Sequence, residues 1–344
     1  MQSVLQAEAF LGIDAHSEHC TFHAVDRNGT ILMRENIPTD ARQLRDAARR
    51  LPAGMWALLE SSTMAFFVKE ALEGALGRVI VCETRENRWI AKAQDKSDAK
   101  DAERLARLLR MGEFKEVHVP ARPRQEIREI VHAYQRAVGD TVRAKNRIRG
   151  QFRRNGIRIT GGAYGDGRQE ALRQLGRPGL KPVFDAQYAV LDAAEKAWDS
   201  LDHALRARLS HTEEYKLLQT IPGVGPVCAA IMVAVIDQPH RFPDKRHLWS
   251  YAGVGASQRS SGKGAVKTGG THHGNRLLKY GAMMAAQAAI KGGNRFARHC
   301  QSMLANGIDP WMAKKTVARD ILATALAMWK AGTAYHEDTQ AKSA

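Results

Sequence analysis

Four carboxylates in this chain stand where a divalent cation could be held against a phosphodiester. They are Asp14 in FLGIDAH, Glu60 in MWALLESS, and Asp98 with Asp101 in KSDAKDAERLARLL. The first two close short apolar runs that read as strands, and the last two are three residues apart on a predicted helix, hence on one face. Mg²⁺ takes hard oxygen ligands in near-octahedral geometry, so side chains from separate elements must converge on it. Held that way, the ion polarises a phosphate and stabilises both the attacking and the leaving oxygen. Each acid alone can equally be a helix cap or a solvated charge, and Asp98 is a plausible cap of its own helix. The four in this order point to metal-assisted phosphoryl transfer.

A hydroxyl group is the second candidate. From Ala256 the chain reads Ser257, Gln258, Arg259, Ser260, Ser261, Gly262, Lys263, Gly264 and continues basic and glycine-rich to Lys279. Such a polar, flexible segment can present a serine and backbone amides beside a phosphate, with Arg259, Lys263, Lys267 and Arg276 compensating the charge. By composition alone a Ser-Gly-Lys stretch is more often only a loop. Just upstream, Thr220 to Pro226 reads TIPGVGP and an apolar helix follows from Val227 to Ile236. That is a helix-hairpin-helix signature. Gly223 and Gly225 permit a tight turn that leaves amides at the next helix's amino terminus facing a phosphate. A plain helix–helix turn is the alternative.

The elements that must position these groups follow from hydrophobic periodicity. A strand runs through Gly12, Ile13 and Asp14, a second covers Thr21 to Val25, and the turn Asp26, Arg27, Asn28, Gly29 leads to a third from Thr30. Residues 40–51 are helical in pattern, Met55 to Leu59 is strand-like, Met64 to Leu76 helical and Arg78 to Cys82 a short β-branched strand. The order βββαβαβα predicts a mixed sheet flanked by helices. Beyond Pro120 and Pro123 the composition shifts to long charged helices. Gln125 to Arg154 carries Arg128, Arg136, Arg143, Lys145, Arg147, Arg149, Arg153 and Arg154, a basic arm suited to phosphates. A glycine-rich break from Gly161 to Gly167 precedes a second long helix, Pro182 to His211. The two read as an antiparallel hairpin, a dimer seam or two ordinary bundle helices. Helices at 277–291 and 311–330 read as core packing, and the tail from Thr333 as frayed.

Bulk composition agrees. The chain has 344 residues, 44% of them hydrophobic, enough for two or three domains. Fifty-two Lys and Arg against 36 Asp and Glu give a formal charge of +16, which predicts a polyanionic partner. Cys20, Cys82, Cys228 and Cys300 are widely spaced, as expected of reduced thiols in a cytoplasm. The adjacent His272 and His273 have no cysteine nearby and make a poor zinc site. No apolar run reaches 18 residues and the amino terminus lacks a signal pattern, so no membrane partner is expected.

Taken together, the GID strand, LLESS, KSDAKDA, IPGVGP, YAGVG and SSGK followed by a basic GNR helix resemble the transposases of the insertion-sequence-110 family, including its eleven-eleven branch. The likeness runs from about residue 10 to 330. It implies three regions: a ribonuclease H or RuvC-like DEDD domain at 8–118, a helical, coiled-coil-like basic arm at 124–212, and a mostly α carboxy-terminal domain with a helix-hairpin-helix and serine loop at 213–332. By resemblance Asp14, Glu60, Asp98 and Asp101 fill the metal tetrad with Mg²⁺. The nucleophile is the serine just before the glycine of SSGK, Ser261, with Ser260 its neighbour. The same resemblance implies donor and target DNA as substrates and a noncoding bridge RNA as guide. It also implies homodimers that associate into tetramers, with a site shared between the resolvase domain of one subunit and the serine domain of another, in a bacterial cytoplasm at the nucleoid. Read from the residues alone, a Holliday-junction resolvase using water remains the alternative, and a nucleic-acid-binding protein without activity a third.

Overall fold

The computed structural model describes residues 6–83, 97–259, 267–270 and 274–337. It divides into two compact units, Met1–Val119 and Pro120–Ala344.

The first unit is built on a five-stranded mixed sheet. Strands β1 (Ala9–Ala15), β2 (His19–Asp26) and β3 (Ile31–Pro38) form an antiparallel meander. Helix α1 (Ala41–Ala48) follows, then β4 (Trp56–Glu60), α2 (Ala65–Leu72), β5 (Arg78–Cys82) and α3 (Asp98–Met111). Strand order is β3-β2-β1-β4-β5, and β1, β4 and β5 run parallel. This is the expected βββαβαβα order. The central strand β1 is covered on both faces, which is why AFLGIDA is apolar nearly throughout instead of alternating. Leu11, Ile13 and Leu59 pack with residues of α1 and α2 on one face. Phe10, Trp56 and Leu58 pack with Leu105, Ala106 and Leu109 of α3 on the other.

Gly12 lets α3 lie directly on β1. A Cβ there would stand 1.9 Å from the Ala102 carbonyl oxygen and 2.4 Å from the Ala106 amide, so no larger residue fits. The helix runs back along the strand. Arg110, in its last turn, reaches the Arg27 carbonyl in the turn after β2, at the opposite end of the sheet from Asp14. Ser97 caps the amino terminus, accepting from the Lys100 amide, and Gly112 ends the helix in a left-handed conformation. Ser97 therefore takes the capping place anticipated for Asp98, and Asp98 is the first helical residue.

In the second unit, α4 (Arg122–Arg154) and α6 (Lys181–Leu209) form an antiparallel hairpin. Glu126 pairs with Arg208, the Tyr134 and Trp198 rings lie 6.5 Å apart, and the Phe152 and Phe184 rings pack at 4.5 Å, tilted by 44°. Pairing within the chain, one of the arrangements open to these two helices, is present. Far from the core, Ile148 and Phe152 join Phe184, Tyr188 and Leu191 in a small cluster closed by α5 (Arg168–Leu175). The near ends of α4 and α6 enter the main core around α7 (Glu213–Gln219) and α8 (Pro226–Ile236). Helix α8 is buried from Ala229 to Ile236, as its unbroken apolar sequence requires. Next come α9 (Lys245–Tyr251), β6 (Ala256–Arg259), β7 (Lys267–Gly270), α10 (Arg276–Ala289), α11 (Arg295–Ala305) and α12 (Pro310–Ala331).

Two expectations need correcting. Arg128, counted above with the phosphate-facing arm, donates instead to the Ala234 and Val235 carbonyls at 2.7 and 3.1 Å. The carbonyls ending a buried helix have no water to turn to, and Arg128 and Arg241 satisfy them. The segment read as a flexible loop also contains a two-stranded antiparallel ribbon, β6 with β7, in which Arg259 is opposite Lys267. Residues 260–266, and with them Ser260, Ser261 and Lys263, lie outside the described residues, as do His272 and His273. All four cysteines are free thiols. Among the described residues no helix is long and apolar enough to cross a membrane.

Candidate metal centre and basic surfaces

The carboxylates meet at one corner of the sheet because of register. Ile13 of β1 pairs with Leu59 of β4 in parallel, so Asp14 and Glu60 are the next residues on adjacent strands. Gly12 and Leu58 face α3, and alternation turns Asp14 and Glu60 to that same side. Because α3 runs antiparallel to β1, its first residue, Asp98, arrives at the same corner.

Two histidines complete the arrangement. His16 Nε2 lies 3.1 Å from Asp14 Oδ2 and 3.6 Å from Asp98 Oδ1, and His19 Nε2 lies 3.2 Å from Asp98 Oδ2. One ligand atom each from Asp14, His16 and Asp98 fall within 4.8 Å of one another, close enough to share an ion. Asp101 is outside this group and pairs with Arg104 at 2.7 Å, one turn along α3. Glu60 sits exposed at the end of β4, also outside the group. Burial pushes the Asp14 carboxyl above its usual range; the hydrogen bond and charge of His16 oppose this, and Asp98 and Asp101 push it further up. A cation at this corner would reverse that strain on the ionised form.

The donor set fits a divalent ion. Two carboxylates and an imidazole reach it from β1, the turn after it and α3, and half-exposed Asp98 leaves a side open to substrate. An imidazole donor suits Mn²⁺ and later first-row metals better than Mg²⁺. The sequence alone does not assign the histidines a role, because Asp98 meets them only once α3 folds back along β1. The signal was HSEH directly after the first strand, where a turn throws both rings back over the strand end.

The basic candidates on α4 divide by helix face. Lys145 bridges to Glu195 at 2.8 Å and lies over the Tyr164 ring, while Arg149 donates to the Tyr164 hydroxyl at 3.1 Å. Lys145 braces the hairpin, and Arg149 ties α4 to the turn that carries Tyr164. Arg143 pairs with Asp140, Arg154 reaches Gln151, and Arg147 and Arg153 are exposed. In the α7–α8 turn the two glycines do different work. Gly223 has φ +85° and is pressed against α10, where a Cβ would stand 2.3 Å from the Ala285 carbonyl oxygen. Gly225 caps α8 with open space around it. Arg276, exposed, opens α10. For Arg259 and Lys267 the backbone alone is described.

The family model for the DEDD-type transposase of IS110 matches residues 11–155, and that for the transposase IS116/IS110/IS902 family matches residues 215–301. Together they span most of the chain. The chain belongs to the IS110 family of transposases. Its relatives include the transposase for insertion sequence element IS1111A of Coxiella burnetii, 25% identical over a stretch that takes in 57% of this chain and 56% of that protein. A protein of the insertion element IS116 from Streptomyces clavuligerus is 26% identical over 82% of this chain and 84% of its own. The mini-circle putative transposase for IS117 of Streptomyces coelicolor is 33% identical over 38% of this chain and 33% of its own. The carboxylate corner lies within the DEDD match, and the turn carrying Gly223 and Gly225 lies within the second.

Proposed function

We propose that this IS110-family chain is a DNA transposase whose carboxylate corner acts on a phosphodiester with a bound divalent cation, Mg²⁺ or Mn²⁺. The observation that carries the reading is the convergence of Asp14 and Asp98 with His16, beside Glu60, in a region that matches the DEDD family model. A cation held there supplies Lewis-acid stabilisation of the charge that builds on the phosphate. Asp14, Asp98 and His16 would hold it, Glu60 and Asp101 would orient it from beside them, and His19 would fix Asp98.

Ser261 is the nucleophile in this proposal. Its Oγ bonds to phosphorus as the bridging bond to deoxyribose breaks; the serine proton is lost to a base and the departing deoxyribose oxygen is protonated. A new DNA hydroxyl then attacks the phosphoserine, restoring the diester and the serine, so bond energy is retained through exchange. Gly225 and the arm arginines Arg143, Arg147, Arg153 and Arg154 supply backbone contacts, joined by Lys145, Arg149, Gly223, Arg259, Lys263, Lys267 and Arg276 where the nucleic acid reaches them. A structured noncoding RNA guides target choice by base pairing, and the chain works as a dimer that associates into a tetramer.

The test is an adduct trap. The protein is co-expressed with the noncoding flank of its element, mixed with labelled donor and target DNA and Mg²⁺ or Mn²⁺, and run on denaturing gels. The expected result is a DNA-linked protein band in wild type and Ser260→Ala, absent in Ser261→Ala and Asp14→Ala. Cleaved DNA without such a band, undiminished in Ser261→Ala, would replace the serine step with hydrolysis by water.

A further inference from the structure

We infer that the cleft between α4 and α6 seats a single unpaired nucleotide, with arginines on its phosphate and side-chain amides on its base edge. The inference rests on the reading of this protein as one that handles nucleic acid, and it names where and how one strand is held.

The cleft has a volume of about 480 Å³ and lies on the outer half of the hairpin. That is room for one nucleotide. Arg143, Arg147 and Arg154 line it, at spacings of four and seven that place them on one face of α4. The Arg143–Asp140 pair is exposed on both sides, and such a pair exchanges readily for a phosphate. Lys145 is held by Glu195 of α6 and Arg149 by the Tyr164 hydroxyl, and neither lines the cleft, so the cleft selects among basic residues that look equivalent in the sequence.

Its polar floor sets it apart from a general basic surface. Asn146 and Gln151 of α4 and Gln187 of α6 supply three primary amides, which pair with base edges because each carries both donors and an acceptor. The Gln187 Oε1 atom is buried and finds no hydrogen-bond donor, although Phe184 and Tyr188 on either side are packed in the core. A buried acceptor without a donor is unfavourable, so turning this amide into the cleft costs no hydrogen bond at the oxygen, and a base amino group there would supply the missing donor. Gly150 is an independent observation. It interrupts a long helix, where glycine is unfavourable, yet an added Cβ would meet nothing within 4 Å. Packing does not demand it. Its bare backbone lies in the wall of the cleft, where a side chain would fill the space a ligand needs.

The experiment uses the full chain and fluorescence anisotropy with labelled single-stranded homopolymers of all four bases, as RNA and as DNA, and with duplex DNA. Thermal melts accompany each variant. Gly150→Leu is expected to melt at or above the wild-type temperature and to bind single strands about tenfold more weakly, by occlusion alone. Gln187→Leu should level the differences among the four bases while leaving the salt dependence intact. Arg147→Gln should weaken all four alike and reduce the slope of log affinity against log salt by about 0.7. Arg173→Gln, which removes a charge from α5 away from the cleft, is the control and should bind as wild type. The RNA and DNA arms identify the source of the strand by which is held more tightly. Wild-type binding to every base by Gly150→Leu and Gln187→Leu would overturn the cleft while leaving the nucleic-acid reading in place. Equal losses in Arg173→Gln and Arg147→Gln would overturn it as well. A wild-type protein that binds none of the strands would remove both.

Discussion

The sheet corner of the first unit and the helical hairpin of the second solve opposite problems. The corner assembles Asp14, His16 and Asp98 from positions up to 84 residues apart and fixes them through one intolerant contact, Gly12 against Ala102. The hairpin spreads its cations along 33 residues of a single helix and pairs several with nearby acids. Coordination needs ligand atoms placed to a fraction of an ångström, so it sits where strands and a helix end together. Phosphate binding needs charge density along a path, and a helix supplies that locally.

The largest expected effect falls on the corner. Asp14→Asn should lower metal-dependent strand cleavage by roughly 10³-fold or more, about 4 kcal/mol of barrier. It should also raise stability near neutral pH. The sign follows from the raised carboxyl: below the unfolded value of 3.8 both states are protonated and nothing is gained or lost. As pH climbs from there through the higher folded value, the unfolded chain ionises first and stability falls. Asp14→Asn should remove that decline, which melts across an acid-to-neutral series without metal would reveal. A variant both inactive and destabilised would mean that the substitution acts through folding.

Next in size is Gly12→Ala. The methyl would collide with backbone on α3, so the two faces must separate, at a cost of about 2–4 kcal/mol by denaturant titration. The same change at Gly150 should be neutral or slightly stabilising, by up to about 1 kcal/mol. If both glycines behave alike, the contrast between a geometric unit and an electrostatic one fails.

His16→Phe should weaken metal binding by about 10–100-fold and reduce the preference for Mn²⁺ over Mg²⁺, as calorimetry with each ion would register. The smallest effects separate two arginines on one helix. Arg128→Met leaves the α8 carbonyls short of donors and should lower stability by about 1–3 kcal/mol without altering the salt dependence of nucleic-acid binding. Arg153→Gln should leave stability unchanged within about 0.5 kcal/mol and reduce the salt slope.

The sequence carried the sheet unit well because alternation, the Asp26 to Gly29 turn and the apolar run of β1 all act locally. It carried the antiparallel hairpin only as one of several possibilities, since the ring and ion pairs that settle it join residues dozens of positions apart. Arg128 looked like its neighbours because one-dimensional spacing does not reveal a helix ending against that face. His16 and His19 were overlooked because their role depends on α3 folding back along β1, a consequence of Gly12 that no motif records. The ribbon of β6 and β7 is polar and only four residues a side, too short to separate from a loop by pattern.

The central claim is that the sheet corner is a metal site made by Asp14, Asp98 and His16. It is tested most directly by Mn²⁺ titration of the nucleic-acid-free protein, read by electron paramagnetic resonance. Wild type should bind with a nitrogen coupling from an imidazole. Asp14→Asn and Asp98→Asn should each abolish the bound signal, and His16→Phe should keep a weaker signal that lacks the nitrogen coupling. Undiminished binding in the Asp14→Asn and Asp98→Asn double variant would place the metal elsewhere and contradict the account.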